Sequence, residues 1–152
     1  MLEPPRELDA TARVVIDAAL EVHRVLGPGF LESVYEDALA VELELRGITF
    51  ERQKPISVNY KGRQIGEGRS DFLVEDSLIV ELKAAERLLA VHQAQVLSYL
   101  KATGCLLGLL INFHESQLRQ GIRRIVFTAP SLPQVQFTAK PPKSIQNGSP
   151  NQ

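Results

Sequence analysis

The sequence predicts an α/β domain, and three observations carry that prediction. Apolar residues recur at three- and four-residue spacing around 8–26, 30–46 and 84–103, the signature of amphipathic helices. Shorter runs between and after them, bounded by Gly, Pro and Asp-Ser turns, read as strands. One of these, Leu106–Phe113 (LLGLLINF), is apolar on both faces, as strands in the middle of a covered sheet are. At 152 residues, 44% hydrophobic and 23% charged, the chain suffices for one globular domain with its own core.

In chain order, residues 1–7 are proline-rich and expected to form an N-terminal arm ahead of a domain spanning 8–127. A first helix is expected from about Leu8 to Leu26, with Asp9 or Thr11 as cap and Val15, Ala18, Ala19, Val22, Val25 and Leu26 on its buried face. Gly27-Pro28-Gly29 breaks it. A second helix should start near Phe30 or Leu31 and stop at Gly47. Three short strands are expected at Ile48–Gln53, Ile56–Tyr60 and Arg63–Glu67, punctuated by Pro55 and the Lys61-Gly62 turn. After a hairpin at Gly68–Lys83, a helix over Ala84–Thr103 ends at Gly104. The strand Leu106–Phe113 and a last strand, Ile122–Phe127, complete the domain. From Thr128 the composition turns to Pro, Ser, Gln, Asn and Lys, expected as a disordered tail in which Val135-Gln136-Phe137 is the one strand-like stretch.

Composition also excludes. No apolar run approaches the ~20 residues that span a bilayer, and the N-terminus lacks the charged-then-apolar layout of a signal peptide. A cytoplasmic location with no membrane partner is therefore expected. The single cysteine, Cys105, rules out an intrachain disulfide framework and is expected to be buried. A net charge of −1 does not advertise nucleic-acid binding, nor does it exclude it, since acidic site residues offset basic ones in the count.

The chemistry concentrates in Gly68–Lys83, GRSDFLVEDSLIVELK. Strand side chains alternate with period two, so Glu81 and Lys83 share one face and Leu78, Val80 and Leu82 the other. The place of Asp71 depends on register. A three-residue loop at Glu75-Asp76-Ser77 pairs Val74 with Leu78 and sets Asp71 opposite Glu81, Cβ atoms about 5 Å apart. A two-residue loop would pair Asp71 with Leu82 and part the carboxylates. The three-residue loop is the expectation. Two carboxylates that close repel unless a divalent cation such as Mg²⁺ or Mn²⁺ joins them. Lys83 would then position a water or steady a developing phosphate charge. The competing reading is a plain Asp/Glu/Lys salt-bridge cluster at a sheet end.

Other candidates are weighed in the same way. Glu32, Tyr35, Leu39 and Leu43 form one stripe of the second helix. Its glutamate is either a first-turn residue favoured by the helix dipole or a third carboxylate aimed at the hairpin. Gln95 and Tyr99, with His92 on the same side, become interesting only if that row faces the hairpin. His23 reads as a satisfied structural histidine. Asn59–Arg63 reads as a solvated turn, although its basic tip would suit a phosphate backbone. Arg119, Arg123 and Arg124 are the densest basic group and are read as a solvated edge.

Four separated pieces together resemble a known pattern. Gly29-x-x-Glu32-x-x-Tyr35 is the signature naming the GxxExxY family, a branch of the PD-(D/E)xK phosphodiesterase superfamily. Asp71 with Glu81-x-Lys83 resembles the metal-and-lysine core of that superfamily, with Ser70 where its name has proline. Gly68-x-x-Asp71 and Gln95-x-x-x-Tyr99 are similar to motifs of its RecB-like exonuclease branch. The resemblance implies a restriction-endonuclease-like core, a mixed sheet flanked by helices. It implies Asp71, Glu81, the Leu82 backbone carbonyl and Glu32 as ligands of Mg²⁺ or Mn²⁺, and Lys83 as the catalytic lysine. Gln95 and Tyr99 would border a substrate channel. The implied reaction is hydrolysis of nucleic-acid phosphodiesters, DNA in the first instance. Specificity would come from DNA shape, a homodimer or a partner protein. The alternative is a non-catalytic nucleic-acid or protein interaction module that retains the fold. Four mutually repelling or reactive groups, Glu32, Asp71, Glu81 and Lys83, would have no use there. A hydrolase of small phosphate compounds ranks last, because no phosphate-cradling glycine loop is present.

Overall fold

The structure is a computed structural model, and it describes residues 3–128. Its elements are helices α1 (Arg6–Leu26) and α2 (Glu32–Leu45), strands β1 (Phe50–Tyr60), β2 (Arg63–Val74) and β3 (Leu78–Lys83), helix α3 (Ala90–Thr103), and strands β4 (Leu107–Asn112) and β5 (Ile122–Val126), the last preceded by a 3₁₀ turn at Leu118–Gly121. The strands form one sheet in the order β1-β2-β3-β4-β5. Neighbours run antiparallel except β3 and β4, which are parallel and joined through α3. A parallel pair needs such a crossover, and the helix it carries covers one face. This is the mixed α/β sheet flanked by helices that the sequence predicts.

Two apolar layers hold the sheet. On one face α1 and α2 bury Val15, Ala18, Leu39 and Leu43 against Phe72, Val80, Leu82 and Leu109. On the other, Val96 and Leu100 of α3 meet Ile56, Leu73, Ile79 and Leu110. Alternation along β3 thus sends Leu78, Val80 and Leu82 to the α1/α2 layer and Ile79 to the α3 layer. Gly108 lets α3 settle: a Cβ there would stand 2.6 Å from Val96 Cγ1.

Several local expectations shift. Helix α1 begins at Arg6 on a Pro5 cap rather than near Leu8, and Thr11 Oγ1 donates back to Glu7 O (3.0 Å) instead of capping. Val25, expected on a buried face, is exposed, as is Val91 of α3. Pro55 does not divide β1, because β1 is the edge strand and needs no partner for the missing N–H. Because pairing with β1 runs unbroken past Glu67, Arg63–Glu67 and the strand after it are one strand, β2. Residues 84–89 are not helical: α3 starts at Ala90, where the Leu89 N–H donates to His92 Nδ1 (2.9 Å). The end of α2 is as expected, with Gly47 at φ 72° and Gly47 N and Ile48 N bonded to Glu44 O and Leu43 O. His23 is structural, its Nε2 2.7 Å from Glu115 O. Cys105 is half-buried and its thiol is held up by burial. The expected tail, Val135–Phe137 included, lies beyond Thr128 and so outside the described residues. Among the described residues no helix is long and apolar enough to cross a membrane.

Candidate active site

The hairpin β2–β3 turns through Glu75, Asp76 and Ser77, with Glu75 and Asp76 in the left-handed region at φ 53° and 56°. Val74 pairs with Leu78, Leu73 with Ile79 and Phe72 with Val80. This three-residue register carries Asp71 opposite Glu81. There the ladder stops and the carboxylates take over the backbone's partners. The Asp71 N–H donates to Glu81 Oε2 (3.0 Å) and the Leu82 N–H donates to Asp71 Oδ2 (2.8 Å). In a strand the N–H and C=O of one residue leave from the same edge, so the Leu82 carbonyl also lies on the edge facing β2. Beyond this fork β3 continues with β4 alone, Glu81, Leu82 and Lys83 beside Leu110, Ile111 and Asn112.

Glu81 is 4% exposed. Burial, then the neighbouring charge of Asp71, pushes its carboxyl up to about 8, against the opposing pull of the Asp71 N–H and Lys83. Lys83 is half-buried on the same layer as Glu81, and among the described residues no ion pair engages it. Its charge acts on both Glu81 and Glu32.

The first turn of α2 reaches this corner through a loop built around Tyr35. Gly27 and Gly29 adopt positive φ, 71° and 115°. The buried Tyr35 hydroxyl donates to Gly27 O and accepts from Phe30 N (3.1 Å), while its ring stacks on Phe113 at 4.6 Å. Glycine, glutamate and tyrosine at this spacing therefore make one device: the glycine turns the chain, the tyrosine ties the turn down, and Glu32 opens the helix at a fixed place. The residue's surface is largely open, yet its carboxyl is raised, first by desolvation and then by Asp71 and Glu36, with Lys83 opposing.

Two residues at the corner were not singled out in the sequence. Gln53, at φ 50° in β1, donates from Nε2 to Asp71 Oδ1 (3.1 Å) and to Glu36 Oε1 (3.0 Å). It ties the hairpin carboxylate to α2. A glutamine at the end of a strand candidate carries no special signal; only the register opposite Asp71 reveals it. Asn112 is fully buried in β4 and trades hydrogen bonds with the Ala85 backbone, Oδ1 accepting at 3.0 Å and Nδ2 donating at 2.9 Å. It holds the chain just after Lys83, and a lone amide in the apolar run LLGLLINF was its available sign.

Tyr99 lies over β2: a Cβ on Gly68 would sit 2.6 Å from Tyr99 Cε1, so the glycine of Gly68-x-x-Asp71 makes room for the tyrosine of Gln95-x-x-x-Tyr99. Gln95 is exposed one turn earlier, while His92 is taken by the start of α3. Arg124 is paired with Asp9, away from this corner.

Among the described residues no three His, Cys, Asp or Glu side chains converge as a metal cluster. The donor set that does converge is two facing carboxylates and a strand-edge carbonyl. Hard cations such as Mg²⁺ are commonly held through one or two carboxylates with water completing the shell, so these residues fit such an ion. The family described as the PD-(D/E)XK nuclease superfamily matches residues 9–125. No curated protein and no solved structure matches the chain.

Proposed function

This chain belongs to the PD-(D/E)XK nuclease superfamily, and we propose that it is a metal-dependent nuclease of the GxxExxY branch that hydrolyses DNA phosphodiesters. The observation that carries the reading is the fork at Asp71 and Glu81, with Lys83 two residues on and no ion pair engaging it among the described residues. Asp71, Glu81 and the Leu82 carbonyl would hold Mg²⁺ or Mn²⁺, with Glu32 as an outer ligand through water. Such an ion, when bound, makes water more acidic and offsets charge on a phosphate.

The chain's own groups do the rest. Asp71 is kept in place by the Leu82 N–H and by Gln53, so its orientation does not depend on the ion. Lys83, half-buried beside Glu81, can hydrogen-bond an attacking water or the phosphate oxygen on which charge grows. Glu32 would accept a hydrogen bond from that water. Tyr99 and Gln95 would line the path of the strand. Burial of Glu81 keeps bulk solvent from one side of the site.

The test is calorimetric titration of Mg²⁺ and Mn²⁺ into the native chain and the Asp71→Asn/Glu81→Gln double variant, with cleavage of single- and double-stranded DNA and of RNA in the same samples. Metal binding lost in the double variant, with DNA cleavage in the native chain only, is the expected result. Absence of binding at millimolar metal would overturn the reading in favour of an interaction module. Lys83→Ala should bind metal normally and lose hydrolysis; cleavage at the native rate would remove the lysine from its assigned role.

A further inference from the structure

We propose that the free end of the β1–β2 hairpin is a duplex-binding arm that enters a groove of the nucleic acid whose backbone lies in the Asp71–Glu81 site; this rests on the nuclease reading above. The pairing of β2 with β3 ends at Phe72, whereas its pairing with β1 continues to Arg63. The stretch from Arg63 to Asp71 is therefore a two-stranded ribbon rooted at the site. α3 covers only its base, where Tyr99 lies over Gly68. At roughly 3.4 Å per residue, the five steps from Gly68, under α3, to Arg63 extend about 17 Å, more than the ~8.5 Å depth of a major groove.

What this ribbon displays is not what a solvated turn needs. Tyr60 and Ile65 are 58% and 63% exposed, and Lys61 Nζ stands 5.3 Å from the Tyr60 ring centroid. Lys61 and Gly62 both take positive φ, 51° and 83°, the tight two-residue turn that matches strand twist. A register shift at Val58/Asn59 twists the ribbon further. Between Pro55 and Ser70 the charged residues are Lys61, Arg63, Arg69 and a single acid, Glu67. Among the described residues none of these three cations has an ion-pair partner. A chain of net charge −1 thus concentrates uncommitted positive charge on a narrow projection beside its site. The major groove, about 12 Å wide, admits a two-stranded ribbon, and flanking phosphates complement such a tip. A single strand offers no groove for both strands of the ribbon.

The experiment uses the full chain carrying Asp71→Asn to prevent cleavage, with and without Lys61→Ala/Arg63→Ala. Binding to a 30-base-pair duplex and to a 30-nucleotide single strand is read by fluorescence anisotropy between 50 and 200 mM salt, with thermal melting as the check on folding. The expected result is duplex affinity about tenfold weaker at 150 mM salt and a salt slope smaller by about two, one phosphate contact per cation removed. Single-strand affinity and melting temperature should not change. Equal duplex affinity in both chains overturns the arm while leaving the nuclease reading to its own cleavage assay. Equal losses on single strand and duplex overturn the groove assignment. A dimer that the tip variants dissociate would make the ribbon a self-association edge and also overturn the proposal. Because affinity is read without turnover, a catalytically silent native chain does not decide this test.

Discussion

Replacing Glu81 by Gln isolates the electrostatic cost of the fork. Glu81 is buried opposite Asp71, and burial followed by that neighbouring charge raises its carboxyl from 4.5 to about 8. A group whose pKa is raised on folding binds more protons in the native than in the unfolded state between those two values. The metal-free protein must then lose stability as pH rises from about 4.5 through 8. At about 1.4 kcal/mol per pH unit of displacement, the loss approaches roughly 4 kcal/mol at pH 8. Glutamine keeps the geometry: its oxygen accepts from the Asp71 N–H, and its amide can donate to the Asp71 carboxylate in place of a shared proton. Glu81→Gln should therefore raise the metal-free melting temperature at pH 8 by about 10 °C and flatten its dependence between pH 5 and 8. Mg²⁺ or Mn²⁺ at millimolar concentration should stabilise the native chain at pH 8 and leave the variant unmoved. Differential scanning calorimetry from pH 5 to 9, with and without metal, measures all of this. A variant as pH-dependent as the native chain, or less stable than it at pH 8, would refute the argument. Alanine is the poorer probe, because it would strand the Asp71 N–H at a cost of about 1–3 kcal/mol and mask the gain.

Further expectations test the supports of the site. Gln53→Ala removes the amide that joins Asp71 to Glu36 and should weaken metal affinity or turnover by about tenfold; calorimetry and initial rates would read it, and unchanged values would make Gln53 a bystander. Tyr35→Phe strands Gly27 O and Phe30 N and should cost about 1–2 kcal/mol in urea unfolding, with turnover falling as Glu32 loses its fixed start. Gly108→Ala forces a Cβ to 2.6 Å from Val96 Cγ1 and should destabilise by about 1–3 kcal/mol; the paired Val96→Ala change should recover part of that loss, and no recovery would locate the strain elsewhere.

Much of this protein was legible in residues alone because local rules settled it. The stripe of Tyr35, Leu39 and Leu43 is buried as helical spacing requires, and Gly47 ends α2 because it tolerates a left-handed conformation. The opposition of Asp71 and Glu81 followed from loop length, since a hairpin's register is a matter of counting once its turn is known. The family signature Gly29-x-x-Glu32-x-x-Tyr35 was readable as a pattern. Its mechanics were not, because Gly27 O and Phe30 N become partners of Tyr35 only when the helix has folded back on its own entry loop.

What only the tertiary structure decided depends on neighbours distant in sequence. Pro55 is harmless because β1 is an edge, and edge position is a property of the whole sheet's order. Residues 84–89 leave the helix because Asn112, 27 positions beyond Ala85, claims that backbone. Gln53 became a site residue through its place opposite Asp71, and Gly68 through the ring of Tyr99 above it. The ribbon was readable as a turn but not as a projection, since its length is set by where β3 stops pairing. Chain-local chemistry determined which groups could carry the reaction; long-range packing determined which of them meet, because burial and pairing are shared properties that no single stretch possesses.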